Sequence, residues 1–336
     1  MKVLALVNGF GLGNATRCEP VLAELTRRGF QVEIATSGNG LAYFRGRPYP
    51  KHLIPLRRLD YGSSGDEGIS PFGLLKAAPR QVSNLASNVA TVFKLLSRTH
   101  YEFVLADSDY SAFFFKPFFD VPVIALNNSS SVIRECRNVA PPPSVWPQLF
   151  IELLDYLFHR FVPDLTLSPT PDVDFERSQG STIEIPLLSR FRRSEISQAP
   201  TQPNRVLFIF SASELGHDPR QFIGLCPPDM EILSLTAENR SNPDGSIRDV
   251  AAEIASADIV VSNAGLGTIS DAIALEKPIL VVPIAGHCEQ WANGRLVERL
   301  GIGEVASLSD FQEKLSKVRR DHLGYRQALT RLRLLN

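Results

Sequence analysis

An α/β protein with two doubly wound parallel sheets in series around a cleft is what this sequence predicts, on three observations. The chain opens with a short apolar run, a glycine-rich turn, an amphipathic stretch and a second apolar run. The same order returns in the second half. Between the halves, residues 198–204 carry Pro200 and Pro203 and have the composition of a linker.

Residues 3–7 form the first expected strand, followed by Asn8-Gly9-Phe10-Gly11-Leu12-Gly13. Cys18, Val21, Leu22 and Leu25 then recur at helical spacing, and Gly29 stands where a helix stops. Residues 32–35 read as the next strand. Strand, turn, helix, strand is a βαβ unit, which implies a parallel sheet. Residues 103–106, 121–126 and 165–167 are further strands, each short and apolar. The Gly-, Ser- and Asp-rich residues 61–71 read as a mobile surface loop over the strand ends, and residues 40–100 carry no motif. Pro141, Pro142 and Pro143 break the chain before residues 149–161, which have helical spacing.

The second half reads as strand 206–210, strand 231–235, helix 247–255, strand 259–262, a second glycine-rich turn, helix 268–275 and strand 279–283. The boundary is expected at residues 190–204, dividing a Rossmann-like domain 1–195 from a second one, 196–336. Open parallel sheets bind ligands at the carboxyl ends of their strands. Two such domains in series put those ends against a shared cleft.

Composition narrows the function. Among 336 residues, 35 Lys and Arg nearly cancel 36 Asp and Glu, and a net charge of -1 leaves no general footprint for nucleic acid. The four cysteines are scattered singly, the pattern of reduced cytosolic thiols rather than of a disulfide or zinc framework. Residues 3–7 are too short for a signal segment, and no apolar run approaches the roughly 18 residues of a membrane span. A cytoplasmic protein is expected. Peripheral membrane contact is an open alternative, motivated by the phenylalanine cluster at 112–119 and by Leu56-Arg57-Arg58-Leu59. Core packing between two strands is the plainer reading of the phenylalanines.

The glycines of the first turn alternate at 9, 11 and 13, which is not dinucleotide-fingerprint spacing. The turn is either a tight strand-to-helix connection or a place where backbone approaches a ligand. The second turn, Ser262-Asn263-Ala264-Gly265-Leu266-Gly267-Thr268, follows an apolar strand and opens a helix. Backbone N–H groups and the helix dipole suit a diphosphate there, and Thr268 adds a hydroxyl donor. Asp271 lies on the same helix face as Thr268, where a carboxylate accepts ribose hydroxyls; both residues also suit plain helix capping. After the next strand come Glu289 and Gln290, which offer acceptors and donors for sugar hydroxyls or simply begin a helix.

Residues 257–272, with the spacing to Lys277-Pro278, Val282-Pro283 and Glu289-Gln290, resemble the donor-site signature of the GT-B glycosyltransferases, in particular the MurG-like branch. Gly11-Leu12-Gly13-Asn14-Ala15-Thr16-Arg17 resembles that family's acceptor-side turn. The resemblance implies that Gly265, Gly267 and Thr268 hold the donor diphosphate, with Asn263 and Ala264 in the same turn and Gly13 across the cleft. Asp271 stands where the family usually has Glu and would bind the ribose; Glu289 and Gln290 would read the sugar. Ser211 and Ser213 match a second phosphate-contacting loop, with His217 and Arg240 as further phosphate contacts.

One position departs from the pattern: Asn14 stands where relatives usually carry His. Asn takes no proton at neutral pH and is a good helix N-cap, so the catalytic base falls to Asp107 or Asp109. Asp107-Ser108-Asp109 spells a metal signature but lies in the half away from the donor motif. The resemblance therefore implies an inverting, metal-independent transferase with no cofactor besides its substrate. It would move a hexosyl unit from a nucleoside diphosphate sugar, UDP-sugar favoured, to a small-molecule, glycan or lipid-linked acceptor. The last helix is expected to return to the first domain. A nucleotide-sugar hydrolase or 2-epimerase on the same scaffold, and a catalytically inactive binding protein, are the alternatives.

Overall fold

The computed structural model describes residues 1–59, 71–174, 176, 180–191, 203–210, 218–235, 242, 244–247 and 250–335. The first half contains β1 (Lys2–Val7), α1 (Gly13–Arg27), β2 (Gln31–Thr36), α2 (Gly38–Arg45), β3 (His52–Pro55), α3 (Pro71–Arg98) and β4 (Phe103–Asp107). It continues with α4 (Ala112–Phe115), β5 (Val123–Leu126), α5 (Ser129–Asn138), α6 (Trp146–Phe161), β6 (Leu165–Pro169) and β7 (Thr182–Ile185). Its seven strands pair in parallel in the order β3-β2-β1-β4-β5-β6-β7.

The second half contains β8 (Arg205–Ile209), α7 (Pro219–Ile223), β9 (Glu231–Leu235), α8 (Ala251–Ser256), β10 (Ile259–Ser262) and α9 (Leu266–Ala274). Then come β11 (Ile279–Val281), α10 (Cys288–Leu300), β12 (Gly303–Val305), α11 (Phe311–Arg320) and α12 (His322–Leu335). Five parallel strands run in the order β12-β11-β10-β8-β9. The two sheets fall on either side of residues 190–204, and residues 192–202 lie outside the described ones.

Successive residues of a strand face opposite sides of its sheet. In β1, Val3, Ala5 and Val7 join one core with Leu22 and Ile34, while Leu4 and Leu6 join another with Val104 and Phe115. In β8, Leu207 and Ile209 pack with Ile269 and Val281, and Val206 and Phe208 with Phe222 and Phe311. Helices cover both faces, so these strands read as continuous apolar runs.

Three elements in residues 40–100 carried no motif in the sequence: most of α2, β3 and the 28-residue α3, which contains Pro79. The loop expected at 61–71 lies, up to residue 70, outside the described residues. Helix α8 is shorter than the helical pattern that announced it. The last helix, α12, packs on the second half. Leu329 enters the second core, Arg333 Nε donates to Glu276 at 2.8 Å, and His322 Nε2 lies 3.1 Å from the Asp258 carbonyl.

The phenylalanine cluster divides. Phe115 is in the core, whereas Phe113, Phe114 and Phe118 are exposed, as are Trp146, Phe150, Leu154 and Phe161 along α6. Among the described residues no helix is long and apolar enough to cross a membrane.

Candidate functional site

Strand order reverses between β1 and β4 in the first sheet and between β8 and β10 in the second. Loops leaving the carboxyl ends of strands at such a reversal diverge and open a crevice. Both crevices face one cleft. Against the first sheet it holds a cavity of about 250 Å³, walled by the turn after β1, Ser108 and Tyr110 after β4, Asn127 and Asn128 after β5, and one face of α6. Against the second sheet a cavity of about 150 Å³ is lined by Phe210 after β8 and by Asn263, Thr268 and Asp271 after β10. Leu12, Gly13, Gly265, Gly267 and Gln290 line both. The two glycine-rich turns meet here: a Cβ on Gly267 would stand 3.0 Å from Thr16 Oγ1.

The second turn is held open by backbone strain and two asparagines. Ala264 is buried with φ of 58°, a left-handed conformation that costs a non-glycine residue about 1–2 kcal/mol. Asn293 Nδ2 donates to the Ala264 carbonyl at 2.9 Å, and Asn263 Nδ2 to the Val282 carbonyl at 3.1 Å. Gly265 follows as the N-cap of α9, and no side chain among the described residues caps the helix. The backbone N–H groups of the first turn, at Leu266, Gly267 and Thr268, are left for a ligand, and the helix dipole favours an anion there. Thr268 and Asp271 do not cap this helix; both line the smaller cavity.

Asp271 accepts from Ser189 Oγ at 3.2 Å and lies 3.4 Å from Arg190 Nη2. Burial pushes its carboxyl up to about 6, outweighing Arg190 and the Ser189 hydroxyl. A raised folded-state value means that folding favours the protonated form. That contribution to stability is complete below the ordinary value near 3.9 and is lost as pH rises through 6. Ribose hydroxyls donating to this group favour the ionised form instead. If Asp271 has the ribose-binding role expected from the sequence, affinity for a ribonucleotide sugar, which has no terminal phosphate monoester titrating in the same range, should rise up to about tenfold per unit between pH 5 and 6 and flatten above 7. Calorimetric titration of wild type and Asp271→Asn checks this; a flat wild-type profile contradicts it.

Gln290 Oε1 accepts from the Ile284 backbone N–H at 2.8 Å, which leaves the amide nitrogen as its donor for a ligand. Glu289 ends a polar relay that crosses the cleft. Its Oε1 accepts from Asn128 Nδ2 at 3.2 Å, and Asn128 Oδ1 accepts from Arg17 Nη1 at 3.0 Å. Arg17 in turn grips Asp107 with two hydrogen bonds, from Nε at 2.8 Å and from Nη2. Burial opposes the Arg17 charge, but Asp107 outweighs it and holds the guanidinium above its usual range.

This geometry gives the expected bases partners of their own, away from the two cavities. Asp107 is fully buried, accepts from Arg17 and the Cys18 thiol, and lines neither cavity. Asp109 is buried, accepts from the Ser111 backbone N–H at 2.9 Å in the turn before α4, and also lines neither cavity. Asn14 does line the larger cavity, but it does not cap α1: the N-cap is Leu12, and the Asn14 side chain makes no hydrogen bond among the described residues. Ser211, Ser213, His217 and Arg240 lie outside the described residues.

The cleft also contains residues that were not singled out in the sequence. Helix α6 presents Gln148, Ile151, Glu152 and Asp155 to the larger cavity, at spacings of three and four. That face was legible in the helical periodicity, but only the sheet order shows what it meets. Tyr43, Arg190, Ile247 and Val250 reach the smaller cavity from segments far apart in the chain. Asp155 accepts from Tyr110 Oη at 2.7 Å and Asn127 Nδ2 at 2.8 Å. Burial raises its carboxyl, but His159, Tyr110 and Asn127 win and hold it below the ordinary range.

A family model described as glycosyl transferase family 1 matches residues 1–147 and 235–319. An uncharacterised glycosyltransferase of Methanosarcina acetivorans is 22% identical, over 100% of this chain and 94% of its own length. One from Methanosarcina mazei is 23% identical over the same shares. Among solved structures, the Streptomyces sp. SF2575 glycosyltransferase SsfS6 in complex with thymidine diphosphate superposes with a TM-score of 0.62 at 18% identity, covering 99% of this chain and 95% of that one. The spinosyn rhamnosyltransferase SpnG with thymidine diphosphate gives 0.64 at 17%, with the same coverage. SpnG with spinosyn aglycone gives 0.66 at 16%.

Proposed function

The chain belongs to glycosyl transferase family 1 and is a glycosyltransferase of the GT-B fold, and from that premise we propose that it transfers a hexosyl unit from a nucleoside diphosphate sugar to an acceptor hydroxyl, with inversion and without a metal. The observation that carries this reading is the uncapped N-terminus of α9, opening on the cleft with Asp271 one turn further along the same helix. The diphosphate would lie on the N–H groups of Leu266, Gly267 and Thr268, and the ribose against Asp271. Ile247, Val250 and Phe210 supply an apolar wall for the base. Gln290 and Glu289 would meet the sugar hydroxyls. Thymidine diphosphate bound in the SsfS6 and SpnG structures is the reason to test dTDP-sugars beside UDP-sugars as donors.

The larger cavity would hold the acceptor. Its oxygen attacks the anomeric carbon from the side opposite the diphosphate, which inverts the configuration. As the bond to the diphosphate breaks, negative charge grows where the helix dipole and three N–H groups already point, so the leaving group is stabilised without reorganisation. In a panel of UDP- and dTDP-hexoses with mixed acceptors, one donor should give a transfer product of inverted anomeric configuration by NMR. Retained configuration would count against the single displacement, and release of free sugar alone would favour the hydrolase reading. Peripheral membrane contact would use the exposed aromatics of α4 and α6; failure to float with anionic vesicles would remove it.

A further inference from the structure

Among the described residues three carboxylates line the larger cavity, and two are engaged. Asp155 accepts from Tyr110 and Asn127, and Glu289 from Asn128. Glu152, three residues before Asp155 on α6, accepts no hydrogen bond and forms no ion pair among the described residues, although it is half-buried. The charged and titratable groups facing it are Glu289 and the Cys288 thiol on α10, Asp155 on its own helix and the Cys136 thiol on α5. Arg17 also lines the cavity, but its charge is taken up by Asp107. The other walls of the same cavity are Asn14, in the first turn of α1, and Gly267 and Ser270 at the start of α9.

Transfer to a hydroxyl needs a group that removes its proton. Asn14 has no basic atom, and Asp107 and Asp109 are outside the cavity. Among the described residues, two titratable side chains in the cavity remain uncommitted, Glu152 and His287, whose Nδ1 has no partner among them. Desolvation acts on them in opposite directions: it strengthens a carboxylate as a base and weakens an imidazole. Resting on the transferase reading above, we infer that Glu152 is the general base, taking the proton of the acceptor hydroxyl in the larger cavity. As the acceptor oxygen bonds to the anomeric carbon, its proton passes to the Glu152 carboxylate. The bond from that carbon to the diphosphate breaks, and its electron pair leaves on the diphosphate at α9. Burial, then Glu289 and Asp155, hold the Glu152 carboxyl well above the ordinary carboxylate range, which suits a base working near neutral pH.

The test compares wild type, Glu152→Gln and His287→Gln, using UDP- and dTDP-glucose as probes. Three quantities are read: the melting shift with each nucleoside diphosphate, diphosphate release to water or a polyol acceptor across pH 5–9, and the carbon-13 carboxyl titration of labelled glutamates. Glu152→Gln should keep the melting shift and lose the rate by about 10²–10⁴-fold. It should also lose the rising limb of the pH profile, which His287→Gln retains. One glutamate signal titrating above the ordinary range should vanish in Glu152→Gln. A Glu152→Gln rate within threefold of wild type overturns the inference, as does a pH limb lost in His287→Gln instead. Where wild type gives no turnover with these probes, the titration decides, and superimposable titrations overturn the inference. An absent melting shift with every diphosphate is a separate failure, that of the transferase reading itself.

Discussion

Asp107→Ala is expected to lose about 3–5 kcal/mol of stability, because it strands the Arg17 guanidinium in a site with almost no access to water. If the half that carries the pair, roughly 200 residues, unfolds as a unit, that is a fall in Tm on the order of 10 °C. The pair is bidentate and buried, and Arg17 also passes a hydrogen bond to Asn128, which holds Glu289. Transfer activity should therefore fall together with stability. Replacing both partners, Arg17→Met with Asp107→Leu, should recover the greater part of the stability, since a buried ion pair exchanged for apolar groups is often close to neutral. It should not recover activity, because Asn128 loses the donor that orients it. A base would behave otherwise: Asp107→Ala that melts like wild type while turnover disappears would return Asp107 to the chemistry.

Gly267→Val is the second large effect, and it falls on the donor. The Cβ position of residue 267 is already only 3.0 Å from Thr16 Oγ1. A branched side chain there would press the two glycine-rich turns apart at the point where backbone must approach the diphosphate. A diphosphate at 100 times its Kd stabilises the protein by about 2.7 kcal/mol; in Gly267→Val that increment should vanish. Gly265→Ala is the informative contrast. No atom lies within 4 Å of its Cβ position, and its φ of −70° suits any residue. Its ligand-free melting should stay near that of wild type, within the roughly 1 kcal/mol that an N-cap change costs, while nucleotide affinity falls. Unaltered affinity in both variants would mean that the turn does not hold the ligand.

Much of the proposed donor side could be placed from the sequence because it is local. A strand, a turn and a helix N-terminus lie within residues 259–274, so spacing alone places Gly265, Gly267, Thr268 and Asp271. The strain at Ala264 was not legible, since φ is set by what Asn293 and the core hold in place. The proposed acceptor side was harder for the opposite reason. Its wall is α6, brought against the ends of β1, β4 and β5 by the sheet order, so Glu152 and Asp155 read in the sequence only as polar positions of an amphipathic helix. The partner of Asp107 was not legible, because a carboxylate at a strand end has the same spelling whether it meets substrate or a buried arginine. Arg17 decides between them, and it lies 90 residues away.

The most direct test of a diphosphate seated at α9 is the melting temperature of wild type and Asp271→Ala with UDP, dTDP, GDP, ADP and NAD in turn. The account predicts a shift of several degrees for one nucleoside diphosphate and its loss or sharp reduction in Asp271→Ala. No shift from any diphosphate, or a shift from NAD alone, would contradict it.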